Sequence, residues 1–169
     1  LYYWLTIPFF SIFESHETAA RIAPALCALI SALAIFWLGA SLWSPPAGLL
    51  GALILLTSLG FAGYGRSAST DMPFTCCLTV AMAILAAAAG RNMGFGKVLW
   101  AYVFLGLAIL GKGPVAIVLA AGILLFSWCL DEGGHAPRRW RVVRGFIVTA
   151  AISVPWFWLT FRENGYAFI

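Results

Sequence analysis

Charge is what this chain has least of. Only 9% of its 169 residues are Asp, Glu, Lys or Arg and 63% are hydrophobic, whereas soluble domains carry roughly 25% charged residues. That deficit excludes a soluble globular domain and puts the chain in a membrane. It also removes the nucleic-acid reading of a net charge of +4, because basic residues in such a chain report orientation. Acids are the rarer sign: between Glu17 and Asp131 the sequence holds a single one, Asp71. Cysteines and histidines are few. Cys27, Cys76, Cys77 and Cys129 sit in apolar stretches, and the adjacent Cys76-Cys77 is no metal-ligand spacing; they read as small hydrophobes. His16 and His135 read as bystanders. No internal repeat is visible.

What is there is long apolar runs. Six can be marked: Ala23–Trp43, Ala47–Tyr64, Met72–Ala89, Val98–Leu110, Val115–Leu130 and Val142–Phe161. A crossing helix needs about 20 residues, which the first three and the last supply. The fourth and fifth are short and flank Gly111-Lys112-Gly113-Pro114. Pro breaks helices and Gly loosens them, so this segment reads as a tight hairpin tip, or as the turn of a re-entrant pair. Ahead of the first run, Leu1–Phe13 carries Tyr2, Tyr3, Trp4, Phe9, Phe10 and Phe13. Aromatic rings gather at headgroup level, and Pro8 opposes a long straight helix, so the segment is expected along the interface. The expected fold is all-α: a polytopic transmembrane helical bundle with about six transmembrane helices. Residues 1–169 form one domain, with an interfacial segment over 1–20. The chain starts at Leu1 and stops within Asn164–Ile169, and reads as an internal piece of a longer protein.

Alternation of the runs sorts the charges onto two faces. One collects Arg91, Lys97, Arg138, Arg139, Arg141 and Arg144 against Asp131 and Glu132. The other has Arg21, Arg66, Lys112 and Arg162 with Glu14, Glu17, Asp71 and Glu163. The positive-inside rule makes the first face cytoplasmic, so Asp71 faces outward. Arg138-Arg139-Trp140-Arg141 reads as a solvated anchor on anionic headgroups. The outward face mixes signs at helix ends, and a membrane-edge carboxylate is a functional-site hypothesis by default.

Gly106–Lys112 satisfies GxxxxGK, but Gly113 stands where the magnesium-holding Ser or Thr belongs, and the stretch is apolar. A phosphate-cradling loop follows a strand and opens a helix in water, so this is no nucleotide site. Gly60, Gly63 and Gly65 point to close helix contact. The outward Asp71, Arg66 and Lys112 suit a lipid-linked phosphate substrate, since Lys binds phosphate as a point charge and Arg as a planar fork. A carboxylate can act as base toward a hydroxyl acceptor or hold it. A transporter or flippase of lipid-linked saccharide would use similar parts; it predicts inverted repeats with broken helices in matching halves.

Three stretches carry a resemblance: Leu1-Tyr2-Tyr3-Trp4-Leu5 through Glu17-Thr18-Ala19-Ala20-Arg21, Gly65-Arg66 through Asp71-Met72-Pro73, and Gly106 through Lys112-Gly113-Pro114, with Pro155-Trp156-Phe157 following. In order and spacing the chain resembles bacterial membrane glycosyltransferases of the aminoarabinose-transferase and protein-mannosyltransferase type, the GT-C class. The resemblance implies a bacterial plasma-membrane enzyme that moves a sugar from a polyprenyl-phosphate donor to an extracytoplasmic acceptor such as lipid A, a protein hydroxyl or a glycan. It implies a long outer loop upstream of Leu1, whose Asp-Glu pair carries the main base and which a Lys-Pro-Pro element follows. It leaves Asp71 as a supporting carboxylate and Lys112, with Arg66, as phosphate contacts. A divalent metal is compatible with such a site, though no motif demands it.

Overall fold

The computed structural model describes residues 2–13, 16–90, 94–113, 115–130 and 139–164. Glu14, Arg91, Pro114, His135 and the Asp131–Arg138 stretch, which figure in the charge count and the hairpin reading, lie outside the described residues. All regular elements among the described residues are helices: α1 (Tyr2–Ile12), α2 (His16–Leu42), α3 (Pro45–Thr57), α4 (Leu59–Arg66), α5 (Asp71–Gly90), α6 (Phe95–Lys112), α7 (Val115–Leu130) and α8 (Arg139–Asn164).

Four of these are long and apolar enough to cross a membrane, α2, α5, α6 and α8; five are if α3 and α4 make one broken span. The expected six is therefore too high, for two physical reasons. Helix α7 has 16 residues, about 24 Å at 1.5 Å per residue, short of a hydrocarbon core of about 30 Å. The Ala47–Tyr64 run is not one helix: it bends by 67° between α3 and α4. At the bend the Thr57 hydroxyl donates to the Leu53 carbonyl and that of Ser58 to the Leu55 carbonyl. Such back-bonding bends helices, and Ser58 itself is extended, with φ −66° and ψ 129°.

The helices pack as a row, α3–α2–α5–α6–α8, with α1 and α4 against α2 and α7 against α6. Small residues let neighbours approach. A Cβ on Gly39 would sit 2.6 Å from the Gly48 Cα at the α2–α3 crossing, and one on Gly106 would meet Ile152 at 3.0 Å between α6 and α8. Two apolar clusters lock the middle of the row. Cys27, Met72 and Cys76 join α2 to α5, and Phe74, Cys77, Ala108, Ile109 and Ala116 join α5, α6 and α7.

Helix α1 is tied down by a proline effect. Pro24 lies inside α2 and has no N–H, so the carbonyl four residues earlier, that of Ala20, loses its helical partner. The Tyr2 hydroxyl donates to that carbonyl at 3.1 Å. At the other side, Trp4 meets Trp156 of α8 edge to face, with centroids 5.5 Å apart. Helix α1 thus bridges the ends of α2 and α8, with Tyr3, Trp4 and Ile7 exposed.

Candidate functional site

The end of the bundle under α1 is where the polar residues between α4 and α5 fall. Helix α4 stops at Arg66 and α5 starts at Asp71. The turn between them is shaped by two short bonds: Ser69 N–H to the Ser67 carbonyl at 2.8 Å, and Asp71 N–H to the Ser69 hydroxyl at 3.1 Å. The second satisfies one of the N–H groups that every helix start leaves free, and it fixes Asp71 in the first turn of α5. A carboxylate there also meets the positive end of the helix dipole.

Helix α6 runs the opposite way and brings Lys112 back to the same end. Its last turn closes with Gly113 N–H on the Ile109 carbonyl at 2.6 Å, and Gly113 takes φ +65°. That conformation strains any residue with a Cβ, so the glycine after Lys112 is what ends α6 with the lysine facing α5. The Lys112 ammonium lies 2.5 Å from the Asp71 carboxylate and 5.7 Å from the centre of the Phe74 ring. Neither side chain is deeply buried, at 39% and 34% exposed. The pair can therefore open toward a ligand without leaving a charge stranded in an apolar interior.

Around the pair is a cleft of about 320 Å³ lined by Phe61 and Tyr64 of α4, Asp71, Met72, Phe74 and Thr75 of α5, and Lys112. The structure thus brings two of the three candidate residues together. Arg66 stands apart: it is exposed at the end of α4, outside the cleft lining, and Lys112 is the cation on Asp71. Glu17 pairs with Arg21 four residues on, and the His16 ring meets Phe10; neither lines the cleft. The Gly106–Lys112 stretch is the end of a helix, not a loop. Among the described residues no group of three His, Cys, Asp or Glu is placed to hold a metal ion; Asp71, the acid in the cleft, is already engaged by Lys112. These residues do not by themselves build a metal site. Sequence reasoning missed Phe61 and Tyr64, although their spacing of three on a helix that ends at the polar turn was a usable signal.

Residues 1–158 match the family described as dolichyl-phosphate-mannose-protein mannosyltransferase. The chain belongs to that family. Within curated proteins, this mannosyltransferase-family chain is 30% identical over 164 residues to an undecaprenyl phosphate-alpha-4-amino-4-deoxy-L-arabinose arabinosyl transferase of Edwardsiella ictaluri, a match covering 91% of this chain and 28% of the relative. The enzyme with the same description from Erwinia tasmaniensis matches at 30% identity with the same coverage. An uncharacterized protein of Aquifex aeolicus is 29% identical over 96% of this chain and 33% of its own length. The chain thus spans about a third of the length of the curated relatives it matches. No solved structure matches it. The family match agrees with the resemblance carried by the aromatic, Asp71 and Lys112 stretches, all of which lie inside the matched residues.

Proposed function

We propose that this chain is part of a membrane glycosyltransferase that moves a sugar from a polyprenyl-phosphate donor to an extracytoplasmic acceptor. The observation that carries this reading is the Asp71–Lys112 pair, half-exposed in a cleft at one end of the bundle, in a chain of the mannosyltransferase family. In the reaction an acceptor oxygen bonds to the anomeric carbon, the bond from that carbon to the phosphate oxygen breaks, and polyprenyl phosphate leaves with the electron pair. The acceptor proton goes to a base. Lys112 faces the charge that grows on the leaving phosphate, where a fixed cation stabilises the transition state more than the ground state. Asp71 holds Lys112 in place before the donor arrives and then positions a hydroxyl of donor or acceptor. As a carboxylate already paired, it is the supporting acid, and the proton falls to a group elsewhere in the longer protein. The excess of basic residues at the opposite end directs this face out of the cytoplasm, as expected of a bacterial plasma-membrane enzyme. The acceptor is lipid A, a protein hydroxyl or another glycan.

The test is transfer by the full-length enzyme from undecaprenyl phosphate-4-amino-4-deoxy-L-arabinose and from a polyprenyl-phosphate mannose. Lys112→Met is expected to lower kcat by about 10²- to 10³-fold, the usual weight of one oriented charge donor. Asp71→Asn should reduce turnover less, by up to about 100-fold, the cost of a misplaced reacting group. Undiminished turnover in both variants, with normal membrane insertion, would overturn the assignment. The broken pair α3–α4 keeps a transporter of lipid-linked saccharide as the second reading, because broken helices are how such proteins build sites at membrane depth. Movement of intact lipid-linked sugar across a vesicle bilayer, without any transfer product, would favour it.

A further inference from the structure

Helix α4 is short and unevenly packed, and that unevenness assigns its residues. Gly60 and Gly63 face open space, whereas a Cβ on Gly65 would meet the Ala28 side chain of α2 at 3.2 Å. Phe61 packs on the Cys27, Met72 and Cys76 cluster. Residues three apart share a helix face, so Phe61 and Tyr64 both turn toward the cleft. Phe61 anchors that face, and Tyr64 is left 52% exposed on the cleft wall. The Tyr64 hydroxyl makes no hydrogen bond among the described residues, while its backbone carbonyl accepts the Ser67 hydroxyl at 3.2 Å. The backbone is held and the ring is offered.

We propose that the Tyr64 ring, backed by Phe61, is the platform on which the sugar ring of the donor stacks, in the cleft it lines together with Asp71 and Lys112. This rests on the transferase reading above and adds where the sugar sits. A pyranose has a face of C–H groups and a rim of hydroxyls. The C–H face suits the electron-rich face of an aromatic ring, and the rim and the phosphate suit a carboxylate and an ammonium. The volume, about 320 Å³, is at the small end of ligand sites. It fits one sugar with its phosphate rather than an oligosaccharide.

The experiment is binding to the full-length protein in nanodiscs, with three probes: undecaprenyl phosphate-4-amino-4-deoxy-L-arabinose, undecaprenyl-phosphate mannose and undecaprenyl phosphate alone. Tyr64→Ala is expected to weaken whichever sugar-bearing donor the wild type binds by about 5- to 10-fold, the weight of one aromatic contact. Binding of undecaprenyl phosphate should be unchanged. Tyr64→Phe should bind as the wild type does, and Lys112→Met should weaken the sugar-bearing donor and undecaprenyl phosphate alike. Tyr64→Leu keeps apolar bulk without a π face and replaces the Ala variant if that fails to fold. Unchanged donor affinity in Tyr64→Ala would make the ring an interface anchor and overturn the proposal. Equal loss for undecaprenyl phosphate, or a Phe variant as weak as Ala, would overturn it too. A wild type that binds no probe would overturn the transferase reading itself, and the platform with it.

Discussion

A methyl group added to Gly48 would fall inside contact distance of the Phe36 carbonyl oxygen and 2.7 Å from the Ala40 backbone nitrogen. Backbone cannot swing away as a side chain can, so Gly48→Ala must separate α2 from α3. Overpacking of that kind costs about 1–3 kcal/mol or more. Gly63→Ala meets nothing, and alanine is about 1 kcal/mol the better helix former. Detergent-unfolding midpoints of the two variants should therefore move in opposite directions; a Gly48→Ala protein as stable as wild type would mean the crossing is looser than described. The sequence misled at this scale. Gly60, Gly63 and Gly65 point to close helix contact, yet of these only Gly65 is pressed against a neighbour. Glycine spacing on one helix does not say which face its partner takes. The Tyr2 tether to Ala20 is a different case: a proline four residues on announces a free carbonyl, but only the fold shows which donor reaches it.

At the scale of elements, the α6–α8 seam separates packing from hydrogen bonding. The Thr149 hydroxyl donates to the Tyr102 carbonyl at 3.0 Å, and Gly145 lies so close to the Tyr102 ring that an added Cβ would overlap it. Interhelical hydrogen bonds in membranes average about 0.6 kcal/mol, with about 1.7 at most. Overlap with an aromatic ring costs about 1–3 kcal/mol. Gly145→Ala should thus destabilise more than Thr149→Val in an SDS-unfolding series, and the reverse order would show that the hydroxyl, not the close approach, holds the seam. Helix existence was legible here because apolar length alone reports it. The bend at Ser58 was not, since Thr57 and Ser58 look like ordinary polar residues near a helix end until their hydroxyls are seen bonded back to Leu53 and Leu55. That bend matters for the site, because it ends the long span and lets α4 carry Phe61 and Tyr64 to the wall beside Asp71.

For the whole molecule, the pairings fix which residues share an end. Asp71 meets Lys112, Phe95 meets Arg144 at the opposite end, and Trp4 meets Trp156 on the Asp71 side. Alternation of apolar runs by itself puts Asp71 and Lys112 on one face, because chain direction reverses at each turn whatever the packing. It could not choose between Arg66 and Lys112 as the partner of Asp71. That choice depends on how α4 leans and where Gly113 ends α6, neither of which is a matter of hydropathy. Direction across the membrane is a separate quantity, set by the basic excess at the Lys97 and Arg144 end. It can be read with single cysteines after replacing the native ones, using a membrane-impermeant maleimide on intact cells. Ala68→Cys, exposed in the turn before Asp71, should label at once, and Lys97→Cys only after permeabilisation. The opposite pattern would put the cleft in the cytoplasm, and an acceptor presented on the outer surface would then be out of reach of Asp71 and Lys112.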